Sequence, residues 1–554
     1  MSSNPGAPSA FSTRSTSAGA ARRPFGEVPS RARSYAVRMR DGVRLATDVY
    51  LPVRGRRFPT LLTRLPYDKT GDECLIPEIA GWFTERGYAV VAQDVRGKIR
   101  SGGALEPCRA EVVDGYDTLD WIEAQSWCAG PVGMFGDSYY GWTQWAAAAS
   151  GHRALRAVAP RVTSADIGDI TSRSGIFSLE VTALWALETW VDEYLYGYDG
   201  APDWSIRPLR DVIPTALGGR RSPFLDDVTI HGLDNSARLP VRGDVPALHL
   251  GGWWDLAQRG QLGTWRRARS VGRAPQFLAV DAVDHGWNAL HPTDESWTGA
   301  TAGVPVERYL DSYLGPMLGF FDCFVAGKGA YEAPPVCWKL ANVAWQDAES
   351  WPPPDSRPLD WYLVGAHGTR GDLRSAPETR HRTVSWVQEP DDLVPSLAHA
   401  YHPLIEPADH AVLADRADVL TFDSEPVTRP LDLAGQVTLI VETVSTSAGA
   451  RIMASVGDVA PDGTVLRIAD GVAAAPSGRV VVDLGDAGYR LRPGHALRLM
   501  VSASEFPRYL PDTGTGENPW TARRFIPTKQ QIVIGGTYAA RLRCHIMEGT
   551  GGDA

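Results

Sequence analysis

Gly136-Asp137-Ser138-Tyr139-Tyr140-Gly141 follows the apolar run Val132 to Phe135, and its residues suit a sharp turn from a strand into a helix. A serine hydroxyl is a weak nucleophile. It needs a turn that exposes it and an imidazole that takes its proton. Gly136, two residues before Ser138, supplies a position without Cβ where such a turn is tight. Two later segments repeat the layout: Ala247 to Leu250 leads into Gly252-Trp253-Trp254-Asp255, and Phe277 to Val280 leads into Asp284-His285-Gly286. Each sets a reactive side chain in the loop after an apolar run, where a parallel α/β sheet holds its chemistry.

Nucleophile, acid and base in the order Ser138, Asp255, His285 is the chain order of α/β-hydrolases, and neither of the other common serine-protease layouts has it. His285 is one of twelve histidines; its loop after an apolar run and its place soon after Asp255 single it out. Asp284 competes for the part of the acid. Adjacent side chains rarely meet in the needed geometry, so Asp255 is preferred, fixing the imidazole tautomer and stabilising the imidazolium. The backbone N–H of Tyr139 is one oxyanion donor by geometry. The second must come from the loop after an early strand, where Leu65-Pro66-Tyr67-Asp68-Lys69 sits. A hydroxyl at Tyr67 can serve, although composition alone reads that residue as core. The second glycine, Gly141, stands at the third position after Ser138 rather than the usual second, so a serine at an ordinary strand-helix turn stays open on these residues alone.

Working outward, Tyr35, Val37 and Met39 alternate with polar residues up to Asp41-Gly42, and Val43, Leu45 and Thr47 resume the alternation, the pattern of a hairpin. Strands at Thr60 to Thr63 and Tyr88 to Ala92 flank a helix around Ile76 to Glu85. Val113, Tyr116, Leu119 and Ile122 give one apolar helix face before the Ser138 strand. The Ala-rich stretch Trp142 to Ser150 predicts a helix lying close on the sheet, and Ala157 to Ala159 a strand after it. This alternation predicts a doubly wound sheet. The strand pattern then stops, and a helical, aromatic segment including Leu179 to Tyr194 predicts a cap that builds the substrate pocket and excludes water. From Arg357 short alternating runs dominate, among them Val437 to Val444, Arg451 to Val456, Arg479 to Leu484 and Ala496 to Ser502, with Asp462-Gly463 as a hairpin turn. The predicted organisation is a tail over 1–33, an α/β-hydrolase domain over 34–162 and 245–356, a helical cap inserted over 163–244, and an all-β jelly roll over 357–554.

At 554 residues and 44% apolar, the chain is too long for one core. No run of about 18 apolar residues occurs, so a spanning helix is not expected. A net charge of -10 argues against nucleic acid as a partner. Cys74, Cys108, Cys128, Cys323, Cys337 and Cys544 are scattered without a CxxC pair, which favours free thiols. The N-terminal stretch before Glu27 lacks acids and is rich in Ser and Ala, and no apolar signal core is evident, so a solvated tail and a cytoplasmic protein are expected.

The strings Met39-Arg40-Asp41-Gly42-Val43-Arg44-Leu45, Pro66-Tyr67-Asp68-Lys69, Gln93-Asp94-Val95-Arg96-Gly97 and Gly251-Gly252-Trp253-Trp254-Asp255, with the Ser138 turn, resemble those of the cocaine esterase and X-prolyl dipeptidyl aminopeptidase family. So do Trp351-Pro352-Pro353 and Ser504-Glu505-Phe506-Pro507-Arg508-Tyr509. The resemblance runs from about residue 35 to the C-terminus. In that family the turn reads G-x-S-Y-x-G, which accounts for Gly141. It implies Ser138, Asp255 and His285 as the triad, the Tyr67 hydroxyl and Tyr139 N–H as the oxyanion hole, a helical cap, a C-terminal jelly roll, and no cofactor or metal. Pairing of two copies through the β domain is a further expectation.

Two departures bear on the substrate. The family usually carries G-P-W-x-H before the base, whereas this chain has Asp281-Ala282-Val283-Asp284-His285, so the loop must differ. Members that hydrolyse α-amino acid esters bind the substrate ammonium with carboxylates two and three residues after the acid, where this chain has Ala257 and Gln258. An unpaired buried ammonium is costly. The expected substrate is a small ester or amide with an uncharged, apolar or aromatic acyl group, with Trp142, Trp185, Trp190 and Trp254 as candidate pocket walls. Alternatives are an acyltransferase or specialised-metabolism enzyme on the same triad, an X-prolyl dipeptidyl peptidase, and a noncatalytic carbohydrate-binding protein.

Overall fold

Asp41-Gly42 makes the first turn. Gly42 takes φ 91°, Val43 N–H donates to Asp41 Oδ1 at 3.1 Å, and β1 (Ala32–Arg38) pairs antiparallel with β2 (Arg44–Tyr50). The computed structural model describes residues 26–548 except 72–73, 105, 190–201, 217, 220–222, 232–236, 293–305 and 537–538. The tail expected through residue 33 gives way earlier. Gly26 N–H donates to Asp68 Oδ2 at 2.7 Å, and Ala32 pairs with Tyr50, because β1 extends as far as its partner strand does.

The following strands are β3 (Phe58–Leu65), β4 (Ala89–Asp94), β5 (Cys128–Asp137), β6 (Leu155–Arg161), the short β7 (Ser172–Arg173) and β8 (Ile176–Phe177), then β9 (Ala247–Trp254), β10 (Gln276–Asp284), β11 (Val336–Lys339) and β12 (Trp345–Ala348). The helices are α1 (Ile76–Glu85), α2 (Glu111–Glu123), α3 (Ser138–Ser150), α4 (Gly168–Thr171), α5 (Leu179–Thr189), α6 (Val212–Ala216), α7 (Pro223–His231), α8 (Gln258–Val271) and α9 (Val306–Phe324). A ten-stranded sheet runs β1-β2-β4-β3-β5-β6-β9-β10-β11-β12, parallel from β4 to β11. Alternate residues of β4 serve opposite faces: Ala89 and Val91 join the core under α2 and α3, Val90 and Ala92 the core under α1 and α9. A strand buried on both sides needs a continuous apolar run, and Ala89-Val90-Val91-Ala92 is one.

Between β6 and β9, α4 to α7 and the β7/β8 hairpin form the inserted segment. Phe177, Leu179, Leu209, Val212 and Leu225 give it an apolar cluster that also takes in Leu510 and Trp520 from beyond the sheet. It is therefore held from the C-terminal side: Leu510 N–H donates to Phe177 O at 3.1 Å, and Arg210 N–H to Trp520 O at 3.0 Å.

From Arg357 to Glu548 eleven strands build a β-sandwich, with Asp462-Gly463 turning between Arg451–Val459 and Val465–Ala474. Its core is continuous with the carboxyl half of the first sheet through Trp253, Trp338 and Trp351. Trp351 is 4% exposed, its ring centroid lies 4.8 Å from that of Trp253, and its indole donates to Asp486 Oδ1 at 2.8 Å. All six cysteines are free thiols, and no helix among the described residues is long and apolar enough to cross a membrane.

Trp351→Ala removes this shared ring and leaves Asp486 without its indole donor. A loss of about 3–5 kcal/mol is expected, read as a lowered urea midpoint. A midpoint equal to that of the unmutated protein counts against a shared core.

Candidate active site

Ser138 stands at φ 50° as the first residue of α3, directly after β5. Holding a side chain in this region costs about 1–3 kcal/mol and persists only where the surroundings force it. Gly136 has φ 141°, and a Cβ there would lie 2.2 Å from Tyr140 Cδ2. At Gly141 a Cβ would lie 2.7 Å from Thr163 Cγ2 and 3.0 Å from Arg161 O. The second glycine is thus placed by the approach of α3 to the end of β6. At the usual glycine position stands Tyr140, buried among Phe83, Phe135 and Leu250. Tyr139 is pinned from below: its hydroxyl accepts from Cys108 N–H at 2.9 Å and donates to Glu111 Oε1 at 3.1 Å. Glu111 in turn pairs with the fully buried Arg64 at 2.8 Å. The Tyr139 N–H lies in the first turn of α3, where backbone donors have no carbonyl of their own helix to bond and the helix dipole favours negative charge.

Trp254 and Asp284 are register partners on neighbouring parallel strands, so Asp255 and His285 leave the sheet at one level. His285 Nδ1 is 2.7 Å from Asp255 Oδ1, and Nε2 is 3.0 Å from Ser138 Oγ. The three residues expected from the chain order therefore meet on one imidazole. Burial pushes the imidazole pKa down, but the Asp255 carboxylate, with Asp284 and Asp137 beyond it, more than reverses this and leaves it raised. With Asp255 on Nδ1, the neutral ring presents Nε2 to the serine as an acceptor.

Asp284, the competing acid, bonds elsewhere. Its oxygens accept from Gly286 N–H at 3.0 Å, Asn288 N–H at 3.0 Å and Leu404 N–H at 3.1 Å, besides the Asn288 amide. Asp137, next to the serine, accepts from the Tyr313 hydroxyl and lies 3.6 Å from Arg161 Nε. The Arg161 guanidinium lies against two perpendicular rings, 3.7 Å from that of Trp287 and 3.4 Å from that of Tyr313. Burial raises the Asp137 pKa, and Arg161 and Tyr313 oppose the rise.

Tyr67 follows β3 and meets Tyr140 edge-on, ring centroids 6.1 Å apart, which sets it against the first turn of α3. The tryptophans expected as walls separate. Trp142 is fully buried, its indole donating to Ala237 O at 3.2 Å, and belongs to the core because α3 lies flat on the sheet. Trp185, half-buried on α5, lies 5.8 Å from Tyr139. Trp254 donates to Arg467 O at 2.9 Å and is spent on the seam between the domains. Trp190 lies outside the described residues.

Tyr401 was not found from sequence. Its ring lies 5.7 Å from that of His285 and its hydroxyl donates to Val181 O of α5 at 2.7 Å, although it belongs to the C-terminal domain. No periodicity or turn signal marks it. Arg161 did carry a signal, a charge at the carboxyl end of a buried parallel strand.

The model of X-Pro dipeptidyl-peptidase (S15 family) matches residues 41–287, and that of the X-Pro dipeptidyl-peptidase C-terminal non-catalytic domain matches 328–543. A cocaine esterase from Rhodococcus sp. (strain MB1 Bresler) is 30% identical over 533 residues, covering 87% of this chain and 92% of its own. Among solved structures, an aminopeptidase from a marine sediment Thaumarchaeota archaeon superimposes with TM-score 0.79 at 21% identity, covering 97% of this chain and 100% of its own. An α-amino acid ester hydrolase does so with TM-score 0.76 at 22% identity, covering 95% and 98%. At these identities the structural matches speak for the fold: an α/β-hydrolase with a C-terminal β domain.

Gly136→Ala tests the turn. The added Cβ meets Tyr140 in a backbone region that L side chains avoid, so a destabilisation of about 1–3 kcal/mol is expected together with loss of Ser138 reactivity. Unchanged thermal unfolding and labelling by a fluorophosphonate contradict this account of the turn.

Proposed function

The chain belongs to the cocaine esterase and X-Pro dipeptidyl-peptidase (S15) family of serine hydrolases, and from that premise we propose that it cleaves a small ester or amide with an uncharged, apolar or aromatic acyl group through a Ser138 acyl-enzyme. The observation that carries this reading is the single imidazole bonded to Asp255 at 2.7 Å and to Ser138 at 3.0 Å. Ser138 Oγ attacks the carbonyl as His285 Nε2 takes its proton, with Asp255 stabilising the imidazolium. The Tyr139 N–H and the Tyr67 hydroxyl receive the oxyanion. His285 then protonates the leaving alcohol or amine, and later takes a proton from the water that hydrolyses the acyl-enzyme.

The preference for an uncharged acyl group is supported by how nearby polar groups are employed. Ala257 and Gln258 stand where the α-amino ester hydrolases keep carboxylates. Gln258 is spent internally: its amide donates to Trp253 O at 3.0 Å and Asp486 O at 2.6 Å, and its carbonyl accepts from Asp486 N–H at 3.1 Å. Of the carboxylates that act on His285, Asp284 is taken up by main-chain N–H groups, while Asp255 gives one oxygen to the imidazole and Asp137 one to the Tyr313 hydroxyl. An ammonium on the acyl side would give up its water with no carboxylate at positions 257 and 258 to meet it.

Hydrolysis of p-nitrophenyl acetate, butyrate, octanoate and phenylacetate, with fluorophosphonate labelling, is expected for the unmutated protein. Both should fall by about 10⁴-fold or more in Ser138→Ala. Labelling that survives the substitution removes Ser138 as nucleophile, and a label without turnover of any ester favours transfer to another acceptor. The raised pKa of His285 sets a second expectation. The base must be neutral, so kcat/KM should fall as pH drops through an inflection above the ordinary imidazole value of about 6.5. An inflection below that value contradicts the Asp255–His285 pairing.

A further inference from the structure

Asp284 lies beside the base, is completely buried, and takes no part in the reaction course above. Its carboxylate accepts five N–H···O bonds. Oδ1 receives Gly286 N–H at 3.0 Å, Asn288 N–H at 3.0 Å and the Asn288 amide at 2.9 Å; Oδ2 receives the same amide at 3.1 Å and Leu404 N–H at 3.1 Å. The first oxygen closes its own loop, while the second reaches a segment 120 residues further along the chain. Only a carboxylate offers two acceptor oxygens with about four lone-pair sites and no competing donor, so no neutral side chain of this size can replace it.

We propose that Asp284 is a positioning residue that clasps the His285 loop to the 398–404 segment of the C-terminal domain and thereby holds the imidazole within reach of Ser138. The inference rests on the reading of His285 as the base.

The base loop is closed by main-chain bonds of its own, Asp284 N–H on Asn288 O at 3.1 Å and Leu290 N–H on Ala282 O at 2.9 Å, but these do not reach the C-terminal domain. The loop from Asp284 to Asn288 is a tight turn, with Trp287 N–H on Asp284 O at 3.1 Å and Trp287 itself at φ 64°. Gly286 at its tip has no room for a side chain, since a Cβ would lie 2.5 Å from His402 Nδ1. The 398–404 segment is fastened to the sandwich upstream, where Ser396 N–H donates to Phe506 O at 2.9 Å. It then crosses to the site, laying Tyr401 beside His285 and donating the Tyr401 hydroxyl to Val181 O of α5. One carboxylate thus joins three parts of the molecule: base loop, C-terminal domain and, through Tyr401, the inserted helices.

Burial pushes the Asp284 carboxyl up to about 6, against the pull of its N–H donors, so the clasp is ionised at neutral pH and its charge supports the imidazolium. The charge and the bonds can be separated. Asp284→Asn keeps an acceptor for the donors on Oδ1 but faces Leu404 N–H with an NH2 group and removes the charge. Asn288→Ala removes two of the five bonds and leaves the charge in place.

The test is the rate of fluorophosphonate labelling, its pH profile, and hydrogen exchange at Leu404. In Asp284→Asn, labelling is expected to slow by about 10- to 100-fold, with the acid inflection moved to lower pH and faster exchange at Leu404. In Asn288→Ala, labelling slows while the inflection stays. A folded Asp284→Asn protein that labels within about twofold of the unmutated one, its inflection unmoved, overturns the proposal. Should Asp284→Asn not fold, unslowed labelling of Asn288→Ala overturns it equally. Failure of the underlying reading looks different: the unmutated protein does not label, or labelling survives Ser138→Ala.

Discussion

A serine held at φ 50° is the constraint to which the surrounding structure answers. The strain at Ser138 is local, about 1–3 kcal/mol, but it persists only if every neighbour refuses the relaxed alternative. Below it, Tyr139 is fixed by Glu111 and Cys108, and Glu111 by a buried arginine. Beside it, two glycines let Tyr140 and the end of β6 approach as closely as they do. Before it, Asp137 is held by Tyr313 and Arg161. The conformation of Ser138 is therefore a property of the sheet and the helix that follows it together, and no single side chain creates it.

The other two residues of the site have no comparable support from the sheet. Asp255 and His285 sit in loops beyond the last paired residues, and contacts from the C-terminal domain and the inserted segment steady them. Trp254 gives its indole to Arg467 O, Gln258 exchanges bonds with Asp486, and Arg173 donates to Leu256 O at 3.1 Å. Arg173, Arg467 and Arg508 gather around Asp470 at this seam, and with Asp255 they line a polar cavity of about 50 Å³. An apolar seam buries area but lets two domains slide; directional, charge-assisted bonds fix one register. The domain described as non-catalytic in its family thus sets the positions of residues in the other.

The sequence was most legible where one periodicity decides the structure. The helix at Ile76 to Glu85, the Asp41-Gly42 hairpin and the strands leading to Ser138, Asp255 and His285 follow from apolar runs and turn residues that nothing distant overrides. The order of the three site residues then follows from the fold. Trp142 misled because a tryptophan near a nucleophile looks the same in sequence whether it lines a pocket or fills the space between helix and sheet. Tyr401 and Leu404 were invisible for another reason: they reach the site by crossing from a different domain, and no spacing rule records where a loop of one β-sandwich touches another sheet. Strands such as Arg357–His367 and Leu420–Asp423 were passed over because their alternation is broken or too short to register.

Three carboxylates act on one imidazole, and their roles are separated by what each already bonds. Asp137 accepts from the Tyr313 hydroxyl and faces the Arg161 guanidinium at 3.6 Å, which opposes but does not reverse the rise in its pKa that burial causes. Asp284 has its lone pairs occupied by N–H donors and can influence the ring only through space. Asp255 alone places an oxygen on Nδ1, at 2.7 Å, so it alone gains a stronger hydrogen bond when the ring takes a proton. Chemically identical side chains at neighbouring places in one site thus differ in what they hold: an imidazole, a set of N–H donors, and a hydroxyl beside a guanidinium. The difference lies in the donors around them: residue type and spacing favour Asp255 over Asp284, and it is Asp255 whose oxygen lies on the imidazole.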